Sequence, residues 1–132
     1  MKIYTNRYRD FTPAQGIPVR ITYGSPRWRL PYDIAASAKT VTPGRWFMEG
    51  TDEEFTERYR SMLDSHGVAR IRTELETISQ LNGGKDIVLL CFDDVRKELC
   101  HRTLFAQWWQ EKTGEEVKEL QKVLEVEQNV LF

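Results

Sequence analysis

This sequence of 132 residues lacks several features that would assign it quickly to a class of protein. No apolar run approaches the roughly 20 residues that a membrane-spanning helix needs. The first residues, MKIYTNRYRDF, lack the apolar stretch of a secretory signal. Only two cysteines occur, which predicts free thiols rather than a disulfide framework. We therefore expect a cytoplasmic protein with no membrane partner.

Glycine-rich phosphate loops are also missing, since neither G-x-G-x-x-G nor the Walker pattern occurs. Ordinary dinucleotide and triphosphate chemistry is therefore not expected. The charge, however, is unevenly distributed. Residues 1–50 hold eight basic and three acidic residues, a net +5, whereas residues 51–132 hold 11 basic and 17 acidic residues, a net −6. This asymmetry permits an anionic partner on one side of the fold. The alternative is that the later helices are simply acidic and solvated.

The hydrophobic patterns that are present alternate between strand and helix. DIVLLC (86–91) is a continuous apolar run of strand length, typical of a strand buried on both faces of a parallel sheet. Further strands are predicted at KIYT (2–5), IPVRITYG (17–24) and EEVKEL (115–120), and helices at 51–67, 68–84 and 100–114. The pattern of residues 121–132 fits either a helix or a strand. We predict a single-domain α/β fold over residues 1–132, Rossmann-like and three-layered, with a mostly parallel sheet.

Residues 25–50 form a proline- and glycine-rich connection in which we predict at most one short helix, around Ile34–Lys39. Long connections inside compact domains are often functional. SPRWR and PGRWF each place an arginine beside a tryptophan, which nominates Arg27, Trp28, Arg45 and Trp46. Such pairs can hold a phosphate while the ring stacks on a base. The alternative is that these tryptophans anchor an irregular loop on the core.

The stretch LLCFDDVRKELCHR (89–102) holds both cysteines and one of the two histidines. If 86–91 is a central strand, Cys91 lies at its carboxyl end, where open α/β sheets bind ligands. Cys100, His101 and Arg102 then begin the next helix, whose free backbone N–H groups attract anions. Arg102 could add a forked contact to phosphate or carboxylate. A salt bridge on the helix surface is the alternative role for this arginine.

The same stretch raises three other kinds of site. Cys91, Cys100 and His101 offer three metal ligands, but their spacing is not that of a zinc knuckle, so no metal or other cofactor is expected. Cys91 or Cys100 could act as a nucleophile with His101 as base. Against this, neighbouring helical residues point about 100° apart, and cysteine is often a small buried hydrophobe. A phosphatase loop is rejected because four residues, none of them glycine, separate Cys91 from Arg96.

LLC followed by an acidic loop and CHR resembles the YeaO-like family of domains of unknown function 488 (DUF488). KIYTNRY, ITYGSPRW, EFTERYRSML and TGEEVKEL extend the resemblance over nearly the whole chain, whereas LPYDIAASAKTVTPG departs from the loop expected there. The resemblance implies a compact Rossmann-like α/β fold and no settled activity. It marks Cys91, Cys100, His101 and Arg102 as motif positions, with Pro26 and Arg27 as weaker ones.

Three functions follow as hypotheses. The first is an anion-binding domain for a nucleotide or nucleic-acid phosphate, with its site at the carboxyl end of the sheet beside CHR. Its ligand-binding residues would be Arg102, Arg27, Arg45, Tyr4, Trp28 and Trp46. The second is a cysteine-dependent enzyme with Cys91, Cys100 and His101 as catalytic residues. The third is a non-catalytic protein-interaction or phage-defence accessory factor. The ligand, the reaction and the oligomeric state stay open at this level.

Overall fold

The computed structural model of the protein describes residues 1–92 and 100–121. This part of the chain forms five short strands and three α-helices, and two 3₁₀ turns lie in the connections. The elements are β1 (Ile3–Arg7), a 3₁₀ turn (Pro13–Gln15), β2 (Ile17–Arg20), β3 (Ala36–Ser37), a second 3₁₀ turn (Arg45–Met48), α1 (Asp52–His66), α2 (Val68–Leu81), β4 (Ile87–Cys91), α3 (His101–Thr113) and β5 (Lys118–Glu119). The prediction for residues 121–132 lies almost entirely outside the described residues.

All five strands are parallel and form one sheet in the order β3-β2-β4-β1-β5. β4 lies at the centre, paired with β1 from Ile3↔Ile87 to Arg7↔Cys91 and with β2 on its other side. Its five residues are all buried, as expected for a strand covered on both faces. The predicted α/β fold with a parallel sheet is confirmed.

The two faces of the sheet are covered differently. We call the face packed by α1, α2 and α3 the helical face. The opposite face, here called the irregular face, is covered by side chains from the connections around Phe11 and residues 30–34. β1 is therefore followed by a segment on the irregular face, whereas β4 is followed by a helix on the helical face. The three layers are thus helices, sheet and irregular connections.

The helix ends agree with the sequence pattern. Thr51 caps α1 by accepting a hydrogen bond from the backbone N–H of Glu54, and the Glu54 carboxylate accepts from the Thr51 backbone N–H. Gly114 ends α3 in the left-handed conformation at φ 78°. Within the described ranges, none of the helices combines the length and apolarity that crossing a bilayer requires.

The short helix predicted around Ile34–Lys39 is wrong, because this segment contains the edge strand β3. Its backbone joins the end of β2 through Ala35 N–H to Pro18 O and Ala38 N–H to Arg20 O, both at 3.0 Å. Strand pairing gives hydrogen-bond partners to backbone N–H and C=O groups that would lack them at the ends of a single helical turn. The Glu74 carboxylate on α2 then accepts from the N–H groups of Lys39 and Thr40, which fixes the chain beyond the strand.

Candidate functional site

The start of α3 lies over the carboxyl ends of β2 and β4. Cys100 is the N-cap residue of α3, and His101 and Arg102 begin its first turn, as predicted. The His101 ring reaches Ile21, just after β2, through Nε2 and the Ile21 carbonyl oxygen at 2.7 Å. Because a carbonyl oxygen only accepts, Nε2 carries the proton and Nδ1 holds the lone pair. The same ring also lies within 3.4 Å of Cys91 Sγ, so the two predicted parts of the site, the end of β4 and the CHR helix start, are in contact.

His101 is held in its neutral form. Burial, opposed by the hydrogen bond to Ile21 and reinforced by the nearby Arg102 charge, lowers the pKa of His101 to about 4. The Tyr59 ring meets the imidazole edge-on at 5.5 Å between ring centroids. At neutral pH the imidazole is therefore unprotonated, and its Nδ1 lone pair is available to accept a hydrogen bond or bind a metal.

Cys91 and His101 are neighbours, but their geometry does not match that of an activated nucleophile. The Cys91 Sγ lies 3.4 Å from Nδ1 and 3.3 Å from Nε2 of His101. A sulfur equally far from both ring nitrogens stands over the ring rather than in line with one lone pair. Cys91 and Cys100 are also 0% and 1% exposed. Burial of this kind is typical of structural cysteines rather than catalytic ones.

Arg102 lies inside the protein and is bound by protein groups. Its side chain is fully buried, and Nε donates to Glu119 Oε1 at 2.7 Å. The other guanidinium nitrogens donate to Gln121 Oε1 at 3.0 Å and to Cys100 Sγ at 3.3 Å. This position favours the ion-pair alternative over contact with an external anion, although the pair is buried instead of lying on the helix surface.

A separate groove lies at the carboxyl end of the sheet. It has a volume of about 400 Å³ and is lined by Arg7, Arg9, Trp28 and Phe92. Arg7 is the last residue of β1 and is paired in register with Cys91. Phe92 directly follows β4. Phe92 and Trp28 meet edge-to-face at 5.8 Å between ring centroids. We call this site the basic-aromatic groove.

Among the predicted ligand-binding residues, Trp28 lines the basic-aromatic groove, and Arg27 precedes it in sequence with an exposed side chain. Trp46 instead packs on Phe55 of α1, with 5.6 Å between the two ring centroids. The Arg58 guanidinium lies 4.8 Å from the centroid of the Trp46 ring. The anchoring alternative therefore suits Trp46. Arg45, at the start of the same 3₁₀ turn, is exposed.

Tyr4 lies at the other end of the sheet. It lines a cavity of about 660 Å³ together with Met1, Lys2, Asp86 and Glu116, which precede or begin the strands. The structure therefore does not bring Tyr4 together with the CHR helix start. Arg7, Arg9 and Phe92 were missed by the sequence reasoning. Their only signals were the basic first segment and the position of Phe92 directly after the predicted strand.

Comparison with known proteins gives no relative: no protein-family model, no curated protein and no solved structure matches the chain.

Proposed function

We propose that this protein binds a mononucleotide in the basic-aromatic groove, with Arg7 and Arg9 on the phosphate and Trp28 and Phe92 beside the base. One observation carries the proposal: two arginines and two aromatic rings share a cavity at the carboxyl end of a parallel sheet. This keeps the anion-binding function expected from the sequence and moves its main cationic contacts from Arg102 to Arg7 and Arg9.

The position of the groove supports the proposal through topology. β1 and β4 are neighbours in the sheet, but the segment that follows β1 crosses the irregular face, whereas the segment that follows β4 crosses the helical face. Such a reversal opens a crevice between two strand ends, and open α/β sheets bind ligands there. The groove includes Arg7 from the end of β1 and Phe92 from the end of β4. Its position is therefore the one at which this class of fold binds ligands.

The charges around the groove suit a phosphate. Arg9 is exposed, and its guanidinium has no hydrogen bond or ion pair with any residue in the described ranges. Arg7 pairs with Asp10, so a phosphate must compete with that carboxylate for it. Arg27 and Arg29 flank Trp28 in sequence and are both exposed. We therefore expect Arg9 to supply the stronger phosphate contact.

The aromatic walls suit a base. Trp28 is 50% exposed and Phe92 is 38% exposed, so each ring leaves area that a ligand could cover. Base–aromatic stacking contributes about 1–3 kcal/mol per base. A cavity of 400 Å³ falls within the range of roughly 300–1,000 Å³ typical of small-molecule sites. It accommodates one nucleotide and not a nucleic-acid duplex.

Binding of adenosine and uridine 5′-monophosphates, followed by calorimetry and tryptophan fluorescence, tests the proposal. We expect each nucleotide to bind more tightly than inorganic phosphate or the free nucleoside. Arg9→Ala and Trp28→Leu should each weaken binding about tenfold, or about 1.4 kcal/mol. Arg70→Ala removes an exposed arginine from α2 and is the matched control. Absence of nucleotide binding, or equal losses for Arg9→Ala and Arg70→Ala, would exclude this site.

A short single-stranded oligonucleotide distinguishes nucleotide from nucleic acid. Binding of the oligonucleotide at least a hundredfold tighter than the mononucleotide, with a steep dependence on salt, would replace the proposal with nucleic-acid binding.

We also propose that the protein belongs to the YeaO-like family and that it is cytoplasmic. The first rests on LLC and CHR, and the second on two cysteines that form no disulfide.

The second candidate, a cysteine-dependent enzyme, has only the proximity of Cys91 to His101 in its favour, since the sulfur stands over the ring and both thiols are buried. Alkylation of the native protein with iodoacetamide tests it, because a catalytic thiol reacts while the protein is folded. Fast native labelling of Cys91 or Cys100 that His101→Gln slows would favour the enzyme. Labelling that requires unfolding would exclude it. A protein-interaction role would instead require a stable complex that Trp28→Ala disrupts.

A further inference from the structure

Cys91, Cys100 and His101 form a compact cluster that neither the nucleotide groove nor the ion pair of Arg102 explains. One ligand atom from each residue lies within 4.8 Å of the other two. Cys91 comes from the end of β4, and the other two residues come from the N-cap and first position of α3. Eight residues separate the two cysteines, so their proximity is a product of the fold and not of a short sequence motif.

One of the separations is close to that around a tetrahedral soft cation, and the others are at most about 1.3 Å longer than such a site requires. Typical Zn–S and Zn–N bonds imply about 3.5 Å between a sulfur and a nitrogen ligand and about 3.8 Å between two sulfurs. The Cys91 Sγ lies 3.4 Å from His101 Nδ1, and the whole set lies within 4.8 Å. Since Cys91 Sγ stands over the imidazole, capture of a metal requires the ring to turn its Nδ1 lone pair towards the sulfurs.

The surroundings of the cluster resemble the outer shell of a metal site. His101 Nε2–H donates to the Ile21 carbonyl oxygen at 2.7 Å, which leaves Nδ1 as the ligand nitrogen. Metal-bound histidines commonly make this second hydrogen bond. Arg102 Nη1 donates to Cys100 Sγ at 3.3 Å, and a positive charge at that distance favours the thiolate, the form that binds metals.

We infer that Cys91, Cys100 and His101 bind a thiophilic d¹⁰ cation, Zn²⁺ or Cu⁺, through two thiolates and one imidazole nitrogen. Both thiol protons are released to solvent when the metal binds. Two sulfurs and one imidazole select such ions over Mg²⁺ and Ca²⁺, which prefer oxygen ligands. The site is separate from the basic-aromatic groove and does not depend on nucleotide binding.

Titration of the full-length, reduced, metal-free protein with Co²⁺ tests the inference, because Co²⁺ reports the ligands that Zn²⁺ would use. We expect one ion per chain, thiolate-to-cobalt charge-transfer absorption in the ultraviolet and visible bands of a tetrahedral ion. Zn²⁺ should remove both signals. In a parallel titration, displacement of Zn²⁺ by one equivalent of Cu⁺ would assign the site to Cu⁺, and retention of Zn²⁺ would assign it to Zn²⁺. A cobalt spectrum without charge-transfer bands, or no binding of either ion, would overturn the inference.

Variants identify the ligands. Cys91→Ser, Cys100→Ser and His101→Gln should each weaken Zn²⁺ binding at least about 100-fold, since loss of an outer-shell partner alone costs 10–100-fold. His66→Gln, at the only other histidine, is the matched control and should leave the affinity unchanged. Equal losses for His66→Gln and His101→Gln would contradict the assignment.

Core substitutions at buried cysteines can impair folding, so a second measurement uses the unaltered chain. Zn²⁺ should slow alkylation of both thiols under mild denaturant and raise the thermal midpoint, whereas Mg²⁺ should do neither. Equal protection by Mg²⁺ and Zn²⁺ would overturn the inference. Arg9→Ala, which is expected to weaken nucleotide binding, should leave Zn²⁺ affinity unchanged, so failure of one site can be told from failure of the other.

Discussion

The helical and irregular faces of the sheet differ in how they bury the same central strands. On the helical face, three amphipathic helices contribute large side chains to a cluster that includes Tyr59, Leu75 and Trp108. On the irregular face, the cluster of fully buried side chains contains Tyr8, Phe11, Val88 and Leu90 among the described residues. Helices satisfy their own backbone groups while covering apolar area, so most of the burial lies on the helical face.

The irregular face relies on side chains to satisfy its backbone instead. The Tyr32 hydroxyl donates to the Tyr8 carbonyl oxygen at 2.6 Å, and the Thr22 hydroxyl donates to the Gly24 carbonyl oxygen at 2.6 Å. The Tyr8 and Thr22 hydroxyls also bond each other at 2.6 Å. Segments held in this way can leave rings and arginines exposed around a cavity. The difference suggests a division in which the helical face stabilises the fold and the irregular connections supply ligand contacts.

β4 offers the most direct test, because Leu89 and Leu90 are neighbours, both fully buried, and belong to opposite clusters. We expect Leu89→Ala to lower the free energy of unfolding by about 4 kcal/mol and Leu90→Ala by about 2 kcal/mol. Helices hold the cavity left by Leu89 open, whereas irregular segments can close on that left by Leu90. Urea unfolding measures both losses, and a larger loss for Leu90→Ala would break the comparison.

The ion pair of Arg102 sharpens the comparison on the helical side. Glu119→Gln keeps the shape of the side chain but removes a carboxylate from a fully buried guanidinium. We expect the free energy of unfolding to fall by about 2 kcal/mol, below the usual cost of breaking a buried pair because Glu119 is partly exposed. Glu111→Gln, at the more exposed pair with Arg60, is the control and should cost less than about 0.5 kcal/mol. Equal losses would mean that burial of Arg102 has no energetic consequence.

On the irregular face, Tyr32 predicts a dependence on alkaline pH. Burial raises the pKa of Tyr32 to about 12. An unfolded tyrosine loses its proton near pH 10, so the unfolded state gains stability first and the free energy of unfolding falls from pH 10 to 12. Solvent around the partly exposed ring keeps this contribution below about 1 kcal/mol per pH unit.

Tyr32→Phe should reduce the slope of that pH dependence and leave the part that comes from Tyr8 and Tyr59, because burial raises the pKa of these two tyrosines as well. It should also lower the free energy of unfolding by about 1 kcal/mol at neutral pH, because the hydrogen bond to the Tyr8 carbonyl is lost. Unfolding in urea at several pH values measures both effects, with Tyr23→Phe, at a half-exposed tyrosine, as control. An unchanged slope for Tyr32→Phe would contradict the assignment of this pH dependence to Tyr32.

The smallest effect on stability is expected at Trp28. Its ring is half-exposed, so Trp28→Leu should change the free energy of unfolding by less than about 0.5 kcal/mol while it weakens nucleotide binding. Thermal unfolding and calorimetry on one preparation separate the two quantities. A loss of several kcal/mol would show that Trp28 supports the fold, and the proposed division between the two faces would then fail at this residue.

Much of the fold could be predicted because its signals are local. The apolar run of β4, the spacing of apolar residues in α1 and α2, the capping pair Thr51 and Glu54, and Gly114 all lie within single elements. β3 could not be predicted, because two residues at a sheet edge have no periodicity and are fixed by pairing with β2.

The position of the candidate site in the fold could be predicted, but the residues that form it could not. A general rule for parallel sheets placed it at the carboxyl end of β4. One partner of Arg102, Glu119, lies 17 residues later on β5, and no spacing rule links the two. Arg7 and Arg9 reach the groove only because β1 pairs with β4, which is 80 residues further along the chain.

The sequence by itself determined the order of the strands and helices other than β3, the identity of the central buried strand and the position of CHR at a helix start. These depend on hydrophobic periodicity and capping, which act over a few residues. Only the tertiary structure decided that Arg102 faces Glu119, that Arg7 and Arg9 meet Trp28 and Phe92, and that Cys91, Cys100 and His101 converge. Those contacts depend on which strands pair and on which face each connection crosses, and both are set by packing of the whole chain.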